Sequence, residues 1–386
     1  MPYKNLSDLT KGIYLLPWNR SDNPNGWVEP STFCQLKCPG CYRALNKDGA
    51  VRVHEDLSDM KKQIDMFVKT RNVQTISISG GEPLLYPKLK ELLSYIKLKG
   101  LKTKIFTNGI ALDEKNLREL KNHGANEFII HIDKSQGRQG YHNENELNKL
   151  RRYYCDLFRK IGGVNLSFIM PISKETLSDI KPVLSFCREN ADIVGLIVFT
   201  LYSDVVWNES EKKNINTDLA ILDIVNQIQE NFKFKPCAYL GSTENLAYPS
   251  WLFSMSIGLK DKILGFFDGR VYKAIQEKHH SQHGTYLYTK INKPILARQL
   301  IKLLGFSSIR RILANYSKNV IINPKKREKL YMQTLLILRG PKFASDGSRN
   351  LCAGCPDAMY YNGKLVPSCI LEEVKQGEHK NTEFTL

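Results

Sequence analysis

Residues 33–43 read FCQLKCPGCYR, which puts Cys34, Cys38 and Cys41 in one loop, three residues and then two residues apart. Thiolates are soft ligands that favour zinc or iron–sulfur clusters. A closed zinc site wants four ligands, and this loop offers three cysteines. That number suits an iron–sulfur cubane with one iron left open to an exogenous ligand. Zinc completed by a distant fourth ligand is the competing reading, and the neighbouring motifs decide between them.

Outward from the loop, between residues 25 and 235, short apolar runs alternate with amphipathic ones. Stretches 27–32, 74–80, 102–109, 127–133, 164–173 and 193–202 read as strands. Stretches 56–72, 86–100, 113–124, 145–162, 177–190 and 217–232 read as helices, the fifth interrupted near Pro182. Gly100 and Gly124 stand where helix C-termini are favourably closed. About six β-then-α units call for a parallel sheet with covering helices. The expected fold is α/β, a partial and open (β/α)6 barrel of TIM type. Ligands in such sheets gather at the C-terminal ends of the strands. The cysteine loop, SGGEP (79–83), FTNG (106–109) and HIDKS (131–135) all fall at such ends, so four motifs would face one cavity.

CQLKCPGCY followed by SGGEP at the next strand end resembles the radical SAM superfamily, and the resemblance covers residues 27–235. It implies that Cys34, Cys38 and Cys41 bind a [4Fe–4S] cluster whose open iron is chelated by S-adenosylmethionine. It places Tyr42 near the adenine and the Gly80–Gly81 backbone at the methionine end. It directs Glu82, followed by Pro83, toward the ammonium group, and puts Thr107 and Asn108 at the ribose or methionyl group. Asp133, Ser135 and Ser167 are further candidates. Taken alone, Glu82 is a solvated turn residue and Asn108 forms a type I′ turn with Gly109. The implied chemistry is reductive. A low-potential donor such as flavodoxin or ferredoxin supplies an electron, the S–C5′ bond breaks homolytically, and a 5′-deoxyadenosyl radical abstracts hydrogen from an unactivated C–H bond.

A second group, CAGCPDAMYYNGKLVPSC, spans 352–369, with two residues between Cys352 and Cys355 and thirteen between Cys355 and Cys369. This resembles the auxiliary-cluster module called twitch, a shortened relative of SPASM. It implies a second [4Fe–4S] cluster on Cys352, Cys355 and Cys369, its open iron taking substrate, Cys237 or a non-cysteine ligand; zinc competes. The cyclase that starts molybdopterin synthesis uses the same spacing, but its Arg-containing run is replaced here by PDAMYY and the chain ends TEFTL, so GTP is not carried over. NGKLVPSC fits a hairpin turning at Asn362–Gly363. Asp357 reads as a turn cap, with an outer partner of the metal or a ligand to it as the alternatives.

The chain has 386 residues, 42% apolar and 25% charged, which is ordinary for a globular protein with a sizeable core. Its nine cysteines exclude an even disulfide framework. Cys155 and Cys187 sit in helical runs and read as inert buried thiols. No signal peptide and no membrane-spanning run is expected, which implies a cytoplasmic protein.

Of the net charge of +17, +14 lies between Lys260 and Lys342. Residues 250–342 also carry Trp251, Phe253, Phe266 and Phe267, and Ile295, Leu296, Leu300, Leu303, Leu304 and Phe306 can share a helical face. Three readings compete for this segment. It is an amphipathic surface for anionic lipid at the inner face of the membrane, a nucleic-acid surface, or a helical subdomain with a solvated basic face. No RNA-binding signature appears, so nucleic acid is not expected.

The expected organisation is an N-terminal extension (1–26), a core barrel (27–239), a basic, apolar helical segment (240–345) and an auxiliary-cluster module with its tail (346–386). The expected function is hydrogen abstraction from a large lipid or isoprenoid substrate. A peptide maturase and a non-enzymatic iron–sulfur electron carrier are the alternatives; GGEP speaks against the carrier.

Overall fold

The computed structural model describes residues 3–202, 219–260, 262–288, 300, 302–322, 329–340, 342–343 and 349–377. Eleven strands form one sheet: β1 (Tyr14–Leu15), β2 (Asn25–Ser31), β3 (Thr75–Gly80), β4 (Lys102–Thr107), β5 (Glu127–His131), β6 (Asn165–Ile172), β7 (Val194–Leu201), β8 (Ala238–Gly241), β9 (Pro249–Gly258), β10 (Ile263–Phe266) and β11 (Tyr331–Leu338). Their spatial order is β1-β8-β9-β11-β7-β6-β5-β4-β3-β2, with β10 on β9. Strands β2 to β7 are all parallel, as six βα units require.

Each strand from β2 to β7 is followed by a helix, and each helix buries one stripe. Helix Leu57–Thr70 buries Met60, Ile64 and Phe67, and helix Leu89–Leu98 buries Leu89, Leu92, Leu93 and Ile96. That spacing of three and four residues puts the apolar side chains on the sheet side. Helix Glu114–His123 is capped as its sequence indicates: the Asp113 carboxylate accepts the Asn116 N–H at 2.7 Å, and Gly124 closes it at φ 117°. Pro182 falls in the first turn of helix Ile180–Glu189, where its missing N–H costs no hydrogen bond; a 3₁₀ stretch, Lys174–Asp179, precedes it.

The segment after residue 239 carries helices Gly269–His283 and Ser307–Ile322, and it also continues the sheet. Strand β11 lies parallel to β7, and β9 returns antiparallel to β11, so the sheet runs across the expected boundary at 239/240. Every residue of β9 is buried. A strand covered on both faces shows no alternation and reads like a buried helix. Trp251, Phe253 and Phe267 are therefore core residues. Ile295 and Leu296 lie outside the described residues, and 302–305 form a turn, so the buried face of the following helix is Ile309 and Ile312.

The C-terminal piece is a hairpin, Ala358–Tyr361 with Lys364–Pro367, turning at Asn362 (φ 46°) and Gly363 (φ 74°). Two consecutive positive φ values are the type I′ geometry that Asn-Gly favours. It packs Met359, Val366, Ile370 and Leu371 against Trp27 of β2.

Candidate functional site

A cavity of about 330 Å³ opens at the C-terminal ends of the strands, and Cys34, Cys38, Cys41, Cys352, Cys355 and Cys369 all line it. The two cysteine groups are more than 300 residues apart in sequence and share one chamber. Among the described residues, no group of three or more His, Cys, Asp or Glu side chains is set to hold a single metal ion.

Cys34 of the first loop meets two N–H donors. The Leu36 N–H approaches Cys34 Sγ at 3.5 Å, and the Asn108 amide approaches it at 3.8 Å. The Gln136 amide nitrogen, buried without a hydrogen-bond partner among the described residues, belongs to a side chain that lines the same chamber. Burial pushes all three thiols up, Cys38 to about 12. A half-buried sulfur that faces N–H groups, as Cys34 does, fits a cluster, because thiolates bound to iron keep accepting hydrogen bonds that tune the centre.

Strand β3 delivers SGGEP beside this loop. Gly81 N–H donates to Ser31 O and Glu82 N–H to Phe33 O, each at 2.7 Å. A Cβ on Gly80 would lie 2.4 Å from Ser31 O, and one on Gly81 2.3 Å from Phe33 O. The two glycines are thus required by the packing of the motif on the cysteine loop as well as by any ligand. Glu82 is fully buried; its carboxylate accepts Thr107 Oγ1 at 2.6 Å, the Asn108 N–H at 2.7 Å and the Leu84 N–H at 3.0 Å. Burial raises its pKa, and these three donors oppose the rise. Glu82 is thus a buried hub joining β3 to β4, in place of the solvated turn residue its sequence permits.

Tyr42 lines the chamber, and its hydroxyl sits 2.9 Å from both Glu29 Oε1 and Ser79 Oγ and accepts the Gly80 N–H at 3.0 Å. Tyr42, Gly80, Gly81, Glu82, Thr107 and Asn108 therefore meet at one wall.

Pro83, Asp133 and Ser167 do not line the chamber. Pro83 opens a 3₁₀ turn. Asp133 caps the turn Lys134–Gln136, pairs with His131 and takes the Ser135 N–H at 2.7 Å; His131 and Gln136 face the chamber in its place. Ser167 lies near the start of β6, away from the chamber end, and donates to Glu127 at 2.7 Å. Cys237 is also excluded: it is fully buried, and its Sγ lies 3.4 Å from Phe253 O. Cys155 and Cys187 are buried thiols, as read.

The second cysteine group is fastened to the barrel from below. Asn23 donates to Gly354 O at 2.9 Å and Asn25 to Pro356 O at 3.0 Å. Arg71, fully buried at the end of helix Leu57–Thr70, donates to the carbonyls of Cys355 and Ala358. The Cys355 S–H and the Arg339 charge pull Cys352 down, while its bond to Cys352 and burial push Cys355 up. Asp357 accepts from Tyr288 Oη at 3.1 Å and Asn25 at 3.3 Å, and burial pushes it up to about 7. Arg43 joins the two groups: it pairs with Glu29 at 3.0 Å and with Glu372 at 2.9 Å. Gly354 stands at φ 65°, and a Cβ there would lie 2.0 Å from Trp18 O. Gly354→Ala is expected to cost at least about 2 kcal/mol, read as a lowered melting temperature with loss of metal from the second cysteine group.

Trp251 and Arg339, on and after the late strands β9 and β11, complete the lining. No motif announces either residue.

Residues 28–187 match the family model described as the Radical SAM superfamily. They form a domain of the radical SAM superfamily. Its members are enzymes that bind a [4Fe–4S] cluster and S-adenosylmethionine. The chain is 24% identical over 221 residues to the 7,8-dihydro-6-hydroxymethylpterin dimethyltransferase of Methanocaldococcus jannaschii, covering 56% of this chain and 43% of that one. It is 29% identical over 180 residues to the probable GTP 3′,8-cyclase of the same organism, covering 43% of this chain and 55% of that one. Among solved structures, Streptococcus suis SuiB bound to S-adenosylmethionine aligns at a TM-score of 0.43 and 20% identity, covering 54% of this chain and 47% of SuiB. The chain spans about half the length of the curated relatives it matches.

Proposed function

We propose that this chain cleaves S-adenosylmethionine reductively and uses the resulting radical to remove hydrogen from an unactivated C–H bond of a large substrate with an apolar part. The observation that carries the reading is the single chamber onto which both cysteine triads, Ser79 to Glu82 and Thr107–Asn108 open. Cys34, Cys38 and Cys41 would hold the first cluster, and Cys352, Cys355 and Cys369 the second. When bound, the first cluster and S-adenosylmethionine together supply a carbon-centred oxidant.

The chain's own residues do the rest. Glu82, with its three donors fixed, keeps acceptor capacity for an ammonium group. Tyr42 locks the Gly80 backbone in place. Trp27, Phe106, Ile129, Ile169, Trp251 and Leu338 give the chamber an apolar wall that excludes water from a reactive intermediate. That wall supports a greasy reacting segment, such as that of a lipid or isoprenoid. Anaerobic reconstitution is expected to load about eight irons per chain and to release 5′-deoxyadenosine with dithionite; loading without release counts against the reading.

The partners proposed are a low-potential electron donor and an anionic membrane surface. Among the described residues, no helix is long and apolar enough to cross a membrane. Ile321 and Ile322, each 75% exposed, end a helix that also exposes Arg310, Arg311 and Lys318. A basic helix with an apolar end suits the surface of an anionic bilayer. Flotation with anionic, but not neutral, liposomes is the expected result, and failure to float with either removes this partner.

A further inference from the structure

The second cysteine group supplies three thiols, and the reading of a cubane there leaves one iron without a protein ligand. The residue best placed to fill that position is two positions beyond Cys355. Asp357 lines the chamber together with Cys352, Cys355 and Cys369. Its position is fixed at both ends. The backbone carbonyl of Asp357 accepts the Ser368 N–H at 2.9 Å, next to Cys369. Oδ1 accepts from Tyr288 and Asn25. Oδ2 has no hydrogen-bond partner among the described residues.

A carboxylate whose second oxygen has no partner among the described residues, in a chamber it shares with three thiols, keeps the capacity to bind a cation. Buried anions need a compensating charge. The nearby cations act from behind: Arg71 is committed to the carbonyls of Cys355 and Ala358, and Lys104 pairs with Glu127 at 3.1 Å. Iron supplies the missing charge on the chamber side, and carboxylate oxygen is a recognised iron ligand. The other acids and thiols do not compete. Cys237 is buried away from the chamber, and Glu373 is paired with Arg349.

We infer that Asp357 is the fourth protein ligand of the second iron–sulfur centre, which therefore has no iron vacant for substrate. The inference rests on the second-cluster reading above. The two triads then differ in kind: the N-terminal one keeps an open corner, and the C-terminal one is closed.

The test uses the full chain carrying Cys34→Ala, Cys38→Ala and Cys41→Ala, so that only the second centre loads. Reconstitution to about four irons per chain upholds the second cluster; no iron overturns that reading and this one with it. With iron bound, electron paramagnetic resonance of the reduced centre is recorded with and without cyanide. The parent spectrum is expected to ignore cyanide, and Asp357→Ala to shift on its addition. Asp357→Cys is expected to restore indifference with altered g values. A parent that already responds to cyanide overturns the Asp357 ligand alone, as does an Asp357→Ala spectrum identical to the parent in both conditions. If Asp357→Ala fails to load, Asp357→Cys decides: altered g values uphold the ligand, and an unchanged spectrum removes it.

Discussion

Cys38→Ala is expected to abolish 5′-deoxyadenosine release from S-adenosylmethionine, down to the assay background. Cys355→Ala is expected to retain part of that release, uncoupled from substrate. The asymmetry follows from the chamber. Cys38 lies on the loop against which SGGEP packs, and it shares the chamber with Gln136 and Asn108 from the strand ends. Deleting its thiol removes one of three sulfurs from a centre with no spare cysteine beside it, because Cys237, Cys155 and Cys187 are all buried elsewhere. Cys355 lies across the chamber, held by Arg71 and remote in sequence from the loop. High-performance liquid chromatography of the quenched reaction measures both. Equal, complete loss in the two variants would mean that the sites are one structural unit and would sink the division of labour.

The second large effect is expected at Arg71. Its guanidinium is fully buried and donates to two carbonyls in the C-terminal piece. Arg71→Ala leaves buried acceptors unsatisfied and opens a void, a loss of about 3 kcal/mol or more. Desolvation already lowers the pKa of this arginine to about 10, so part of the gain from its bonds is offset by the cost of burying the charge. Arg71→Met restores most of the volume without the donors and is expected to fall between the two. Thermal melting gives the stability, and iron analysis of the Cys34→Ala, Cys38→Ala, Cys41→Ala background gives the effect on the second centre. Unchanged melting and full iron loading in Arg71→Ala would show that the clamp is dispensable.

The barrel was legible where each unit exposes one face. Helices with apolar residues three and four apart and strands ending in Gly80, Thr107 and His131 announce themselves. Strands β9 and β11 do not, because both of their faces are covered and alternation disappears. The late arrival of β11 beside β7 also carries Arg339 into the chamber, a placement no local pattern encodes. The site divides in the same way. Thiols, glycines and Glu82 stand in recognisable spacings, and the fold gathers them. Asp133 and Ser167 carry suitable groups, but capping and a bond to Glu127 claim them first. Arg43, Arg71 and Asn25 act on partners more than 280 residues away, a distance over which sequence offers no signal.

The Arg43 bridge has a consequence for biosynthesis. Its Glu372 partner leaves the ribosome some 330 residues after the cysteine loop does. Until then the loop lacks one of the anchors that hold its third thiol in place, and β11 has yet to join the sheet. A polypeptide cut before Glu372 is accordingly expected to hold its N-terminal cysteine loop less firmly than one that includes it.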